Sequence, residues 1–67
     1  GSYPIVLNGA NEELVAMFLK GSIGFTDIQN TVEKVMNEHS ISHPSNVEEV
    51  LSVDAEARIR AREIVRG

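Results

Sequence analysis

Apolar residues return every three or four positions along most of this chain, the period of helices that each turn one face inward. Leu7, Ala10 or Asn11, Leu14 and Phe18 fall at that spacing, and Val15 and Leu19 widen the stripe. A stripe this wide predicts a helix in contact with more than one neighbour, the central helix of the domain. Asn8 and Asn11 are residue types that open helices, because their side-chain oxygens accept unpaired N–H groups of a first turn. Glu12 and Glu13 would then lie near the positive end of the helix dipole. Lys20-Gly21 closes the element with a cation and a residue that tolerates positive φ. Ahead of it, Pro4 suits either a first helical turn or an extended lead-in.

Gly21-Ser22-Ile23-Gly24 has the composition of a tight helix–helix turn. Thr26 with Gln29 three residues on is a capping-box pattern. Beyond it Ile28, Val32, Val35 and Met36 share a face, with Glu33, Lys34, Asn37 and Glu38 left for water. Phe25, just before that cap, is expected to dock against the first helix. Pro44 biases His43 away from helical geometry, so the run from His39 is loop or extended chain. Ser45 with Glu48 repeats the capping pattern, and Ser52 is a point where the chain recaps or bends. Val50, Val53, Ala57, Ala61, Ile64 and Val65 make the last inner stripe, its two alanines suited to close approach of a partner helix. The expectation is an all-α fold: a small antiparallel bundle of three helices, the last broken near Ser52. The helices span about residues 8–20, 27–39, 46–51 and 53–66.

Composition narrows this picture. A chain of 67 residues is one domain at most and near the size at which a single core just suffices. An apolar fraction of 42% is enough for that core. With Tyr3, Phe18 and Phe25 the only aromatics, the core must be largely aliphatic. The absence of cysteine removes disulfides and thiolate chemistry and suits a reducing compartment. A net charge of −4 argues against a general nucleic-acid or anionic-membrane surface. No apolar run approaches the roughly 20 residues of a membrane span. Gly1-Ser2 is read as a cloning scar or as native chain, and is left out of the fold.

Candidate chemistry is sparse. His39 and His43 are four residues apart, as in a helical metal pair, but Pro44 opposes a helix there, and surface loop histidines are the preferred reading. Arg58, Arg60, Arg62 and Arg66 gather in the last nine positions. Arg58 and Arg62 share one face and Arg60 lies on another, acids are interleaved, and no aromatic stands by to stack a base, so a solvated helix face is preferred to a phosphate or RNA patch. Glu12-Glu13 and Glu48-Glu49 are pairs of the kind used in acid–base work, but as first-turn acids the dipole explains them. The Phe25-Thr26-Asp27-Ile28 turn faintly resembles acyl carrier proteins, yet Ile28 stands where their arm-bearing serine would follow the aspartate.

Two stretches carry a sharper resemblance. Leu7 to Ile28, reading LNGANEELVAMFLKGSIGFTDI, resembles the C-terminal helical domain of 1-deoxy-D-xylulose 5-phosphate reductoisomerases, and so does Val50 to Val65, reading VLSVDAEARIRAREIV. With Tyr3-Pro4 ahead of them, the likeness covers nearly the whole chain. Gly9 departs from it, standing where the family usually has alanine.

The resemblance implies a non-catalytic structural domain of a cytoplasmic enzyme, or a plastid one in a plant or alga. That enzyme converts 1-deoxy-D-xylulose 5-phosphate to 2-C-methyl-D-erythritol 4-phosphate in non-mevalonate isoprenoid biosynthesis, with NADPH and Mg2+ or Mn2+, as a homodimer. None of the family's catalytic, cofactor-binding or metal residues maps onto this chain, so the fragment alone is expected to be inactive and to bind neither cofactor. The family's domain is a four-helix bundle whose first helix precedes the matched stretch. The chain then holds an incomplete bundle, with an apolar groove beside residues 7–19 and a tendency to self-associate. The partners implied are the remaining domains of its own enzyme, with no nucleic acid and no membrane. The alternative is a free-standing helical module that binds a partner helix.

Overall fold

The computed structural model describes residues 1–67 as three helices: α1 (Tyr3–Leu19), α2 (Phe25–Glu38) and α3 (Val47–Arg66). Contacts at the two ends of α1 set its direction against α2. Ser2 meets His39 at one end, and Phe18 meets Phe25 at the other, so the two helices are antiparallel. Gly9 lies on Asp54, Glu12 on Arg58 and Glu13 on Arg62, so α3 runs in the same direction as α1. Each helix packs on the other two, the most extensive contact being that between α1 and α3.

Each boundary has a local cause, and several differ from the sequence expectation. Helix α1 starts at Tyr3, five residues before Asn8, with Pro4 in its first turn where a missing N–H costs nothing. Asn8 and Asn11 are therefore not caps. Asn8 instead donates from Nδ2 to Glu12 Oε1 at 3.2 Å, one turn on. The other end is as expected. Gly21 at φ +79° lets its own N–H reach the Phe18 carbonyl at 2.9 Å and the Ser22 N–H reach that of Met17 at 3.0 Å, a doubly bonded helix stop that favours glycine.

Helix α2 begins at Phe25 because Asp27, not Gln29, is the residue that reaches back. Its Oδ2 accepts the Gly24 N–H at 2.8 Å, which places the cap two residues before Thr26. For α3 the cap is one residue later than Ser45: Asn46 Oδ1 accepts the Glu49 N–H at 2.8 Å. Glu49 in turn accepts from the Ser45 N–H at 2.7 Å. The break expected at Ser52 is absent, and residues 46–51 and 53–66 belong to a single helix. Continuity there has a packing reason, since Val53, Ala57, Ala61 and Ile64 form one stripe against the core that a recap at Ser52 would turn away.

The core is small: Val6, Ala10, Leu14, Val35, Ala57 and Ala61 are buried, with Met17, Ile23, Ile28, Val32, Met36, Val53, Ile64 and Val65 packed around them. On α2 and on most of α3 this is the expected stripe. On α1 it is rotated by about one residue, to Val6-Ala10-Leu14-Met17, which leaves Leu7 43% and Phe18 36% exposed. Phe25 does touch Phe18, edge-on with ring centroids 5.7 Å apart, but remains 73% exposed. Val50 also stays outside the core.

Gly9 shows how tightly α1 and α3 meet. It is buried, and a Cβ there would stand 2.6 Å from Asp54 Oδ1 and 3.2 Å from the Asp54 carbonyl oxygen. Asp54 is itself held, its Oδ2 accepting from Arg58 Nε at 2.9 Å. Arg58 continues to Glu12 at 2.9 Å and lies 4.0 Å from Glu13, which binds Arg62 at 3.0 Å.

Two outcomes follow for the stability of the fold. Gly9→Leu, which wedges the α1–α3 contact apart, is expected to destabilise by about 1–3 kcal/mol in urea unfolding even though leucine is the better helix former. Arg58→Met, which keeps the stem and deletes the charge, is expected to cost about 1 kcal/mol at low salt, a loss that shrinks in 1 M NaCl as the partly exposed pairs are screened.

Candidate functional site

The largest concavity, about 560 Å³, lies between the C-terminal end of α2, the 39–42 segment and the middle of α3. Val6, Val35, Val53, Ala57 and Ile59 supply its apolar lining, and Glu38, His39, Glu56, Arg60 and Glu63 are among its polar residues, with Ser40 and Ser42. Arg60 grips Glu38 with two parallel hydrogen bonds, Nε to Oε2 at 2.7 Å and Nη2 to Oε1 at 2.8 Å, and reaches Glu63 at 3.4 Å. Those bonds hold the Glu38 carboxyl below the ordinary carboxylate range and the Arg60 guanidinium above its ordinary value. A guanidinium engaged in this way offers no fork to an incoming phosphate.

One Ser–His pair borders this groove. Ser2 Oγ lies 2.7 Å from His39 Nε2 and accepts the Ser42 N–H at 2.7 Å. A serine hydroxyl beside an imidazole is the arrangement of a nucleophile and its base. Here the hydroxyl is fully buried, at 0% exposure, so no carbonyl carbon can reach it, and its accepted bond ties it to the backbone. The pair holds a chain segment together. Sequence reading missed it, because a Gly-Ser pair ahead of the first apolar repeat carries no periodicity; it missed the Arg60–Glu38 pair as well, having left Glu38 for water.

The remaining candidate residues are placed as follows. His39 faces Ser2, and His43 is exposed in the α2–α3 connection with its ring beside Gly1; no group of three His, Asp or Glu side chains converges on a point that would hold a metal. Arg58 and Arg62 point toward α1 and Arg60 toward α2, the division of faces read from the sequence, and all three are neutralised by carboxylates. The reading of Glu12 and Glu13 as first-turn acids is overturned. They lie mid-helix in α1, whose first turn holds no acid, and serve the ion pairs to α3. Glu48 and Glu49 do occupy the first turn of α3.

A second concavity, about 480 Å³, opens between α1 and α2 and is lined by Asn11, Phe25, Thr26, Ile28, Gln29, Asn30 and Val32. It takes only Asn11 from α1, and four of its seven lining residues are polar, so it is not the apolar groove expected beside residues 7–19. Exposed Leu7 and Phe18 extend the apolar surface of the same helix.

The comparisons with known proteins agree with one another. The profile of the family described as "DXP reductoisomerase C-terminal domain" matches residues 1–60. The 1-deoxy-D-xylulose 5-phosphate reductoisomerase of Chlorobium limicola is 52% identical over 64 residues, 96% of this chain and 17% of that protein. The enzyme of the same name from Zymomonas mobilis is 45% identical across 100% of the chain, again 17% of its length. That from Kitasatospora griseola is 47% identical over an alignment of 70 residues. The chain thus spans about one sixth of the length of the curated relatives it matches. With a family profile covering most of its residues and relatives this similar over nearly all of them, the chain belongs to the C-terminal domain family of DXP reductoisomerases.

Proposed function

We propose that this chain is the non-catalytic helical domain of a 1-deoxy-D-xylulose 5-phosphate reductoisomerase and that it braces an active site built elsewhere in the same enzyme. The match of the family profile to residues 1–60 carries the assignment. The geometry supports the structural role: Arg58, Arg60 and Arg62 are neutralised within the fold, and the serine beside His39 is buried. The whole enzyme then converts 1-deoxy-D-xylulose 5-phosphate to 2-C-methyl-D-erythritol 4-phosphate with NADPH and a divalent metal, in the cytoplasm and as a homodimer. Both cofactors are held by its other domains.

The exposed apolar surface along α1 and α2 supports an incomplete bundle. In the intact enzyme the Leu7–Phe18–Phe25 surface is covered by further polypeptide of the same chain, and in isolation it draws copies of the fragment together. The same surface is what a free-standing module would use to seat a partner helix. An immunoblot of source cells separates the two readings. A band far longer than this chain supports the enzyme domain, and a band at the mass of this chain alone overturns it.

Two further outcomes are expected. The isolated chain shows no NADPH oxidation with 1-deoxy-D-xylulose 5-phosphate, and intact enzyme lacking it loses at least tenfold in kcat. In sedimentation of the isolated chain, Leu7→Glu with Phe25→Glu shifts self-associated species to monomer. A wild-type chain that is strictly monomeric at high concentration and binds no apolar dye would remove the incomplete-bundle reading.

A further inference from the structure

The segment between α2 and α3 is held from an unexpected direction. Residues 40–44 make two hydrogen bonds to the rest of the protein, and both go to Ser2. The Ser2 N–H donates to the Ser42 carbonyl at 2.9 Å, and the Ser42 N–H donates to Ser2 Oγ at 2.7 Å. The same oxygen meets His39 Nε2 at 2.7 Å, at the point where α2 ends. Gly1 continues this contact, with space for a Cβ bounded by the Ser42 carbonyl, Ile41 Cγ2 and His43 Cε1 at 3.5–3.7 Å. Apolar anchoring of the segment is weak, since Ile41 is 65% exposed. Ser2 therefore stands in for the tertiary packing that the connection lacks.

Ser2 is also the residue that starts α1. Its carbonyl accepts the Val6 N–H at 3.0 Å, the first bond of the helix. Its hydroxyl, which in that position would ordinarily cap the helix, makes no capping bond and is turned to His39 and Ser42 instead. One residue thus fixes both where α1 begins and where the α2–α3 connection lies. His39, Ser40 and Ser42 form one wall of the 560 Å³ groove, so the position of Ser2 sets that wall.

We propose that residues 1–2 form a strap that couples polypeptide preceding α1 to the wall of the α2–α3 groove: a change in the path of the incoming chain shifts Ser2, frees the 40–44 segment and opens the groove, while the α1–α3 contact stays intact. The asymmetry follows from what holds each region. Residues 40–44 hang on hydrogen bonds to one residue, whereas α3 is packed through Ala57 and Ala61 and pinned by Arg58. Local opening of this kind takes less free energy than global unfolding and is read by amide exchange.

The test is hydrogen-exchange mass spectrometry on the intact protein that carries this chain, comparing peptides over residues 39–45 and 55–65. Ser2→Ala is expected to accelerate exchange of the Ser42 amide, read in the 39–45 peptide, by about tenfold, the order expected for loss of one buried acceptor, and to leave 55–65 at the wild-type rate. His39→Ala, which removes the ring but leaves both Ser2–Ser42 bonds, is expected to give a smaller acceleration in the same peptide. Unchanged exchange over 39–45 in both variants overturns the strap. An equal acceleration of both peptides also overturns it, because Ser2 would then be one more contributor to overall stability. Should Ser2→Ala prevent folding, His39→Ala decides between the same outcomes. Neither failure bears on family membership, which rests on the match over residues 1–60.

Discussion

Everything in this fold depends on α1 and α3 lying side by side at glycine–alanine distance. Gly9 sits against the Asp54 backbone, and Ala10, Ala57 and Ala61 fill the seam without pushing it open. Close approach brings Leu14 to 0% exposure, and full burial of a leucine contributes about 1.5–3 kcal/mol. It also brings Glu12 and Glu13 within reach of Arg58 and Arg62. Each such pair is worth little by itself at the surface, but together they fix the register in which the small residues meet.

A seam of small side chains buries little apolar area per residue. Only nine residues are buried, and Ser2, Gly9 and Thr31 among them contribute little or no apolar surface. Large apolar side chains, Leu7, Phe18, Leu19, Phe25 and Leu51, are left partly or wholly exposed. A domain with this distribution is suited to gaining stability from neighbouring polypeptide, as expected of a part of a larger enzyme. Arg58, Arg60 and Arg62 are occupied with carboxylates of the same fold, and its one serine–histidine contact is closed to solvent on the serine side.

The helices, their approximate number and their inner faces were legible because amphipathic periodicity is a local property. Ile28, Val32, Val35 and Met36 on α2, and Val53, Ala57, Ala61 and Ile64 on α3, point inward as the 3.6-residue period predicts. The Gly21 stop was legible for the same reason, being a matter of backbone geometry at one residue. Family membership was legible from two ordered stretches of residues, independently of any geometry.

What the sequence could not determine is where local preferences yield to distant partners. Asn8, Thr26 and Ser45 are all competent caps, and Ser52 a competent break, yet each is passed over. The helix ends were decided by which carboxylate or amide could reach back, Asp27 to Gly24 and Asn46 to Glu49, and by the continuous stripe that α3 lays on the core. The one-residue rotation of α1 that buries Val6 and exposes Leu7 was settled by α2 and α3 together, since either residue satisfies a helical period. Ser2 is the extreme case. Nothing in its neighbourhood marks it, and it became a buried anchor only because the fold brought His39 and Ser42, 37 and 40 residues away in the chain, to the start of α1. Periodicity determines that a helix has an inner face; which residues meet across that face is decided by the helices it packs against.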